Sequence, residues 1–185
     1  MASKKITDQD FFTREPSEVA KDLLGAVICH KMNDNVKRFF IIETEAYYYD
    51  EVDGDGKPVC YGAGKTKCEA QKLVSAPLFE KPGTWCVYGG QLLVSVLDDA
   101  HSDNVLIKRI CDEDGTVYGP NGIAQELHLY KTDQHHTNCH GSFSLSCDTM
   151  RLTDGGEIST EVFSQRRVNI NSEKKLNYKL AIIAK

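Results

Sequence analysis

Apolar and polar positions along the chain divide it into short segments, most of them strand-like. Residues 18–24 carry Ala20, Leu23 and Leu24 at helical spacing after Glu15-Pro16-Ser17, and Gly25 follows, which predicts a helix that stops there. Asp8-Gln9-Asp10 marks a short helical opening before it. Residues 26–30 read as a strand, residues 32–35 as a turn and residues 37–46 as the return strand of a hairpin. Residues 84–88 and 91–97 flank Gly89-Gly90, a strong signal for a second hairpin. Residues 104–110 form another strand, and residues 121–129 a short helix after Gly119-Pro120. Residues 161–169 and 178–183 close the chain as strands. Between these lie a Gly- and Asp-rich connection over residues 50–82, with a short helix at 68–73, and a polar, irregular stretch over residues 132–147.

The return strand carries the sharpest chemistry. Phe39-Phe40-Ile41-Ile42 runs directly into Glu43-Thr44-Glu45-Ala46-Tyr47. Alternation places Glu43, Glu45 and Tyr47 on one face. Ionised groups are costly to bury without partners, so the pair is either a solvated edge or a general acid or base delivered to a cleft. In residues 105–110, alternation points Lys108 the same way as Leu106 and Ile110, and a cation there needs a carboxylate such as Glu45 or Glu43. Tyr88 sits at a hairpin tip, an unusual place for a large ring unless it stacks on a neighbouring loop.

Composition narrows the options. The 185 residues suit a single domain over 1–185. Twenty-two basic against 27 acidic residues give a net charge of −5, which excludes a generally basic nucleic-acid binder but not a local basic groove. Seven scattered cysteines fit reduced thiols in an intracellular protein, cytoplasmic in a bacterium or nuclear in a eukaryote. The N-terminus lacks an apolar signal core, and no run reaches membrane-spanning length.

Three motifs fall short of known sites. Gly62-Ala63-Gly64-Lys65-Thr66 imitates the end of a P-loop but has Val59 where the first Gly belongs. Glu51, Asp53, Asp55 and Gly56 imitate an EF-hand, yet the twelfth position is Gly62 and Pro58 interrupts the loop. His135, His136, Cys139 and His140 crowd together without the second knuckle of a zinc site.

In order along the chain, several blocks together resemble the alkyladenine (3-methyladenine) DNA glycosylase family. They are Phe11-Phe12 with Glu18-Val19-Ala20-Lys21-Asp22-Leu23-Leu24-Gly25, then Ile42-Glu43-Thr44-Glu45-Ala46-Tyr47, Gly64-Lys65-Thr66-Lys67, Lys81-Pro82-Gly83-Thr84 with Val87-Tyr88, Val105-Leu106-Ile107-Lys108, Gly119-Pro120 and Arg167-Val168-Asn169-Ile170. The resemblance implies an α+β domain with a curved antiparallel sheet, flanking helices and a protruding hairpin. It implies a monomeric enzyme, without a membrane partner and with no metal or organic cofactor expected, that flips a damaged purine from duplex DNA and hydrolyses its N-glycosidic bond. Glu45 would be the general base for the attacking water, Tyr47 a wall of the base slot, and the carbonyl of Ile170 a guide for that water. Tyr88 stands either for the intercalating wedge or for a second stacking Tyr. Lys65, Lys67, Arg166 and Arg167 would contact DNA. No lyase step is implied, because water and not an amine is the nucleophile.

The chain departs from the family at its pocket. Cys60 stands where the family has a base-contacting His, Ser95 where it has an Asn, and Lys108 where an Arg contacts the water and the sugar-phosphate. Cys68-Glu69 replaces an Arg-Asn pair, and Gly122 a Lys. Three readings remain open: an active glycosylase with altered base preference, a damage-binding relative with weak catalysis, and a hydrolase of nucleosides or modified bases on the same fold.

Overall fold

The computed structural model describes residues 4–6, 9–32, 35–59, 76–88, 90–98, 100–127, 129, 143–147 and 158–184. Strand β1 (Lys4–Ile6) and a 3-10 turn (Gln9–Phe11) lead to helix α1 (Pro16–Asp22), then β2 (Val27–Met32) and the 13-residue β3 (Asn35–Tyr47). A second 3-10 turn (Ala76–Phe79) precedes β4 (Trp85–Tyr88) and β5 (Gln91–Ser95). Then follow β6 (Asn104–Asp112), β7 (Val117–Tyr118), helix α2 (Pro120–Glu126), β8 (Phe143–Cys147), β9 (Ile158–Gln165) and β10 (Asn177–Ala184). The expected helix at 68–73, the P-loop-like segment and the His-rich cluster lie outside the described residues.

Among the described residues, ten strands make one antiparallel sheet in the order β1-β8-β2-β3-β6-β5-β4, with β10 between β3 and β9 and β7 on β6. The length of β3 lets it pair with β2 along its first half and with β10 along its second, while β6 runs along its other edge. Both hairpins expected from the sequence form: β2 pairs with β3, and β4 with β5. The stretch 132–147, expected to be irregular, instead supplies β8, which joins β1 to β2. Phe143-Ser144-Leu145-Ser146-Cys147 alternates as a strand should.

Alternation sends side chains to two cores. Val19 and Ala20 of α1, Leu23 just after it and Ile123 of α2 pack with Ile41, Ala46, Leu92, Val94, Val105, Ile107 and Ile110 on one face. Tyr47, Leu78, Phe79, Cys86, Leu93 and Leu106 form a smaller cluster on the other. The β3–β6 register breaks around Glu43: Ile41 faces Ile110, Glu43 faces Arg109 and Thr44 faces Ile107. This bulge reverses the alternation, so Ile41 and then Thr44 and Ala46 point to the helices, and Glu43, Glu45 and Tyr47 point to the opposite face. It also corrects one expectation. Lys108 shares the face of Leu106, but Ile110 lies in the helix-side core.

Among the described residues, Cys29, Cys86 and Cys111 are free thiols. No described helix is long and apolar enough to cross a membrane.

Candidate active site

The end of β3 projects its acids under a cleft of about 480 Å3 lined by Glu45, Tyr47, Leu106, Lys108, Asn169 and Ile170, with Val59, Gln91, Pro120 and Val168 at its walls. Glu45 is only 2% exposed, and its partners come from three strands. Tyr47, two residues on, donates its hydroxyl to Oε2 at 2.8 Å. Asn177 of β10 donates its amide to Oε1 at 2.9 Å. Lys108 of β6 donates to the same Oε1. A carboxylate offers roughly four acceptor positions. Donors among the described residues fill three of them and leave one on Oε2.

Glu43 is equally buried. Its Oε1 accepts from Asn177 at 2.8 Å, with Lys179 at 3.8 Å, and its Oε2 faces Arg109 Nε at 3.1 Å. The two acids are therefore unlike. Glu43 is ion-paired to Arg109 and Lys179 and does not line the cleft, whereas Glu45 does.

The wall at residues 167–171 is fixed by contacts from below. The Arg167 side chain is fully buried, donates one arm to the Ala46 carbonyl at 2.8 Å and the other to Glu51 at 2.6 Å, and lies 4.7 Å from the Tyr47 ring centre. The loop that begins at Glu51 docks on the same wall, where the Gly54 amide donates to the Asn171 carbonyl at 2.5 Å. A Cβ on Gly54 would lie 2.9 Å from the Asn171 side chain, so the approach needs glycine. Asn169 adopts φ +64°, a left-handed turn that Asn tolerates better than most residues. The turn brings the Ile170 carbonyl round to accept from the Ser172 amide at 2.8 Å, with a second lone pair left.

These positions sort the residues singled out from the sequence. Glu45, Tyr47, Lys108 and Ile170 meet at the cleft. Tyr88 shares the face of Tyr47 and packs, half-buried, on its cluster, but does not line the cleft. Ser95 is buried at the base of the β4–β5 hairpin, where its hydroxyl donates to the Lys81 carbonyl at 3.0 Å and accepts from the Thr84 amide at 3.1 Å. Ser95 does not line the cleft. Arg166 is exposed and paired with Glu173, whereas the Arg167 side chain is internal and paired with Glu51. Cys60, Lys65 and Lys67 lie outside the described residues.

Two site residues escaped the sequence reading. Asn177 left only a faint signal, a polar amide opening an apolar strand. Glu51 entered the sequence reading only within the rejected EF-hand-like pattern, and its Oε1 accepts from Arg167. Asp53, its neighbour in the EF-hand-like pattern, accepts from the amides of Asp55 and Lys57, both at 2.9 Å, and so closes a turn. Among the described residues, no group of three or more His, Cys, Asp or Glu is placed to hold a metal ion.

Comparison with known proteins bears on the family of the chain. A protein of Pseudomonas fluorescens (strain Pf0-1) described as a "Putative 3-methyladenine DNA glycosylase" is 51% identical over 41 residues, a stretch that spans 22% of this chain and 18% of the relative. The chain is thus matched to less than a fifth of that relative's length. The family model for methylpurine-DNA glycosylase matches residues 10–111, more than half of the chain and the part that carries Glu45, Tyr47 and Lys108. On that match, the chain belongs to the methylpurine-DNA glycosylase family.

Proposed function

We propose that the protein is a DNA glycosylase that flips an alkylated or deaminated purine out of the duplex and hydrolyses its N-glycosidic bond with water activated by Glu45. One observation carries the reading: a buried carboxylate reaches the cleft with a single acceptor position, on Oε2, left open by the described residues. Water held there by Oε2 and by the Ile170 carbonyl gives its proton to Glu45 as its oxygen bonds to the anomeric carbon. The electron pair of the C–N bond leaves with the base. A cationic alkylated purine departs as a neutral molecule, which makes it the better leaving group. The carboxylate also offsets positive charge that develops on the sugar.

Tyr47 does two jobs in this scheme. Its hydroxyl orients Oε2, and its ring forms one wall for the base, where an electron-rich face suits an electron-poor purine. Lys108 reaches the cleft from β6, and a backbone phosphate is its natural second partner when DNA is bound.

The test is base release from duplex DNA that carries an alkylated purine. Wild type is expected to release free base. Glu45→Gln is expected to lose at least about a hundredfold in single-turnover rate, in line with the removal of a general base, and to bind the same duplex as before. Release by Glu45→Gln at the wild-type rate would remove Glu45 from the chemistry.

A second reading, hydrolysis of a nucleoside or modified base, draws on the internal position of Arg167, the Glu173 partner of Arg166 and the net charge of −5. Each lowers the number of cations available to phosphates. Cleavage of free nucleosides with no release from DNA would favour it over the first.

A further inference from the structure

We propose that Asn177 is a positioning residue, whose side-chain amide holds the Glu45 carboxylate with Oε2 turned to the cleft and uses Glu43 as its anchor. This rests on the reading of Glu45 as the group that works on water. Residue 177 lies beyond the stretch matched to the family.

The sheet register builds the arrangement. Asn177 is directly opposite Glu45, and Lys179 directly opposite Glu43, where β10 crosses β3. Asn177 is fully buried, and its Nδ2 lies 2.8 Å from Glu43 Oε1 and 2.9 Å from Glu45 Oε1. A primary amide has two N–H bonds in a fixed plane, so each acid receives one. The carboxylates stand within two hydrogen-bond lengths of each other, close enough to repel. A neutral two-proton donor between them satisfies both.

The donors on Glu45 differ in stiffness. Lys108 is a rotatable ammonium on a long stem with part of its side chain exposed. Asn177 is short, enclosed and tied at its far side to Glu43. Of the two groups on Oε1, the amide is the one that can hold the carboxylate plane.

The test uses the full chain, with Asn177→Leu, Glu43→Leu and Glu43→Gln beside wild type. Base release is followed in single turnover on duplex DNA carrying an alkylated purine, and affinity for the same duplex is measured separately. Asn177→Leu is expected to slow release about 10- to 100-fold, the range for a modest misplacement of a reacting group, with unchanged affinity. Glu43→Leu is expected to match it. Glu43→Gln keeps an acceptor for the amide and is expected to restore most of that loss. Wild-type rates in both Leu variants, or equal losses in rate and affinity, would overturn the proposal.

A second readout is independent of activity. In NMR spectra of the side-chain amides, Glu43→Leu is expected to shift one Asn177 Nδ2 proton and Glu45→Leu the other. If neither moves, the bridge is absent and the proposal falls. If both respond while wild type releases no base, the glycosylase reading fails and the hold of Asn177 on Glu45 stands.

Discussion

Arg167 shows how much a single residue can mislead when read along the chain. Arg166-Arg167 looks like a surface doublet, and at Arg166 it is one. Nothing local says that Arg167 meets a glutamate 116 positions away. Its planar fork bonds the Ala46 carbonyl and Glu51 together and backs the Tyr47 ring, so it couples the wall of the cleft to the strand that carries Glu45. Removal of one partner of a buried pair leaves an uncompensated charge. Arg167→Met is therefore expected to cost about 3–5 kcal/mol of stability, read as a lower urea midpoint. Arg167→Lys is not expected to recover it, because an ammonium cannot reproduce the two-armed geometry. Adding Glu51→Leu to Arg167→Met is expected to return a large part of the loss. A midpoint unchanged in Arg167→Met would mean that Glu51 reaches water.

At the scale of elements, the apolar run into Glu43-Thr44-Glu45-Ala46-Tyr47 was legible, and so was the shared face of the two acids and the tyrosine. Alternation depends only on the pleat, and the bulge lies upstream of Thr44. The bulge itself was not legible, since no glycine or proline marks it, and it is why Lys108 and Ile110 part company. Strand β1 has three residues, too few for a pattern. Strand β8 did alternate, but its five residues sit within a long polar stretch that masks the signal. Asn177 was not legible as a site residue, because its role exists only through the β3–β10 register.

The β4–β5 hairpin offers a test of how its base is set. Gly83 has φ +85° and donates its amide to the Ser95 carbonyl at 2.8 Å, beside the Ser95 hydroxyl that bonds Lys81 and Thr84. A Cβ there would lie 2.9 Å from the Phe12 ring. Gly83→Ala combines a left-handed backbone with a clash in the core, so a loss of at least about 1–2 kcal/mol is expected from the backbone alone. Thermal unfolding measures it. A melting temperature equal to that of wild type would show that the turn relaxes freely.

At the scale of the molecule, acids outnumber bases, and the excess shapes stability. Asp103, at the foot of β6, is buried, and its Oδ1 accepts from the Tyr49 amide at 3.1 Å. Burial pushes its carboxyl above the ordinary value of 3.8; the Tyr49 amide and His101 pull against this, while Asp98 and Asp50 add to it. A carboxyl raised by folding contributes stability that is fully present below its unfolded value and lost as pH rises through the folded one. At neutral pH the fold thus carries the strain of a charge it would rather not hold. Asp103→Asn keeps an oxygen for the Tyr49 amide and removes the charge. The variant is expected to melt above wild type at neutral pH, with the gap closing at about pH 3, where Asp103 is protonated in both states. The sign of the gap decides the matter. If Asp103→Asn melts lower at neutral pH, the charge on Asp103 is held by attraction to His101, and the acidic surroundings of Asp98 and Asp50 do not govern it.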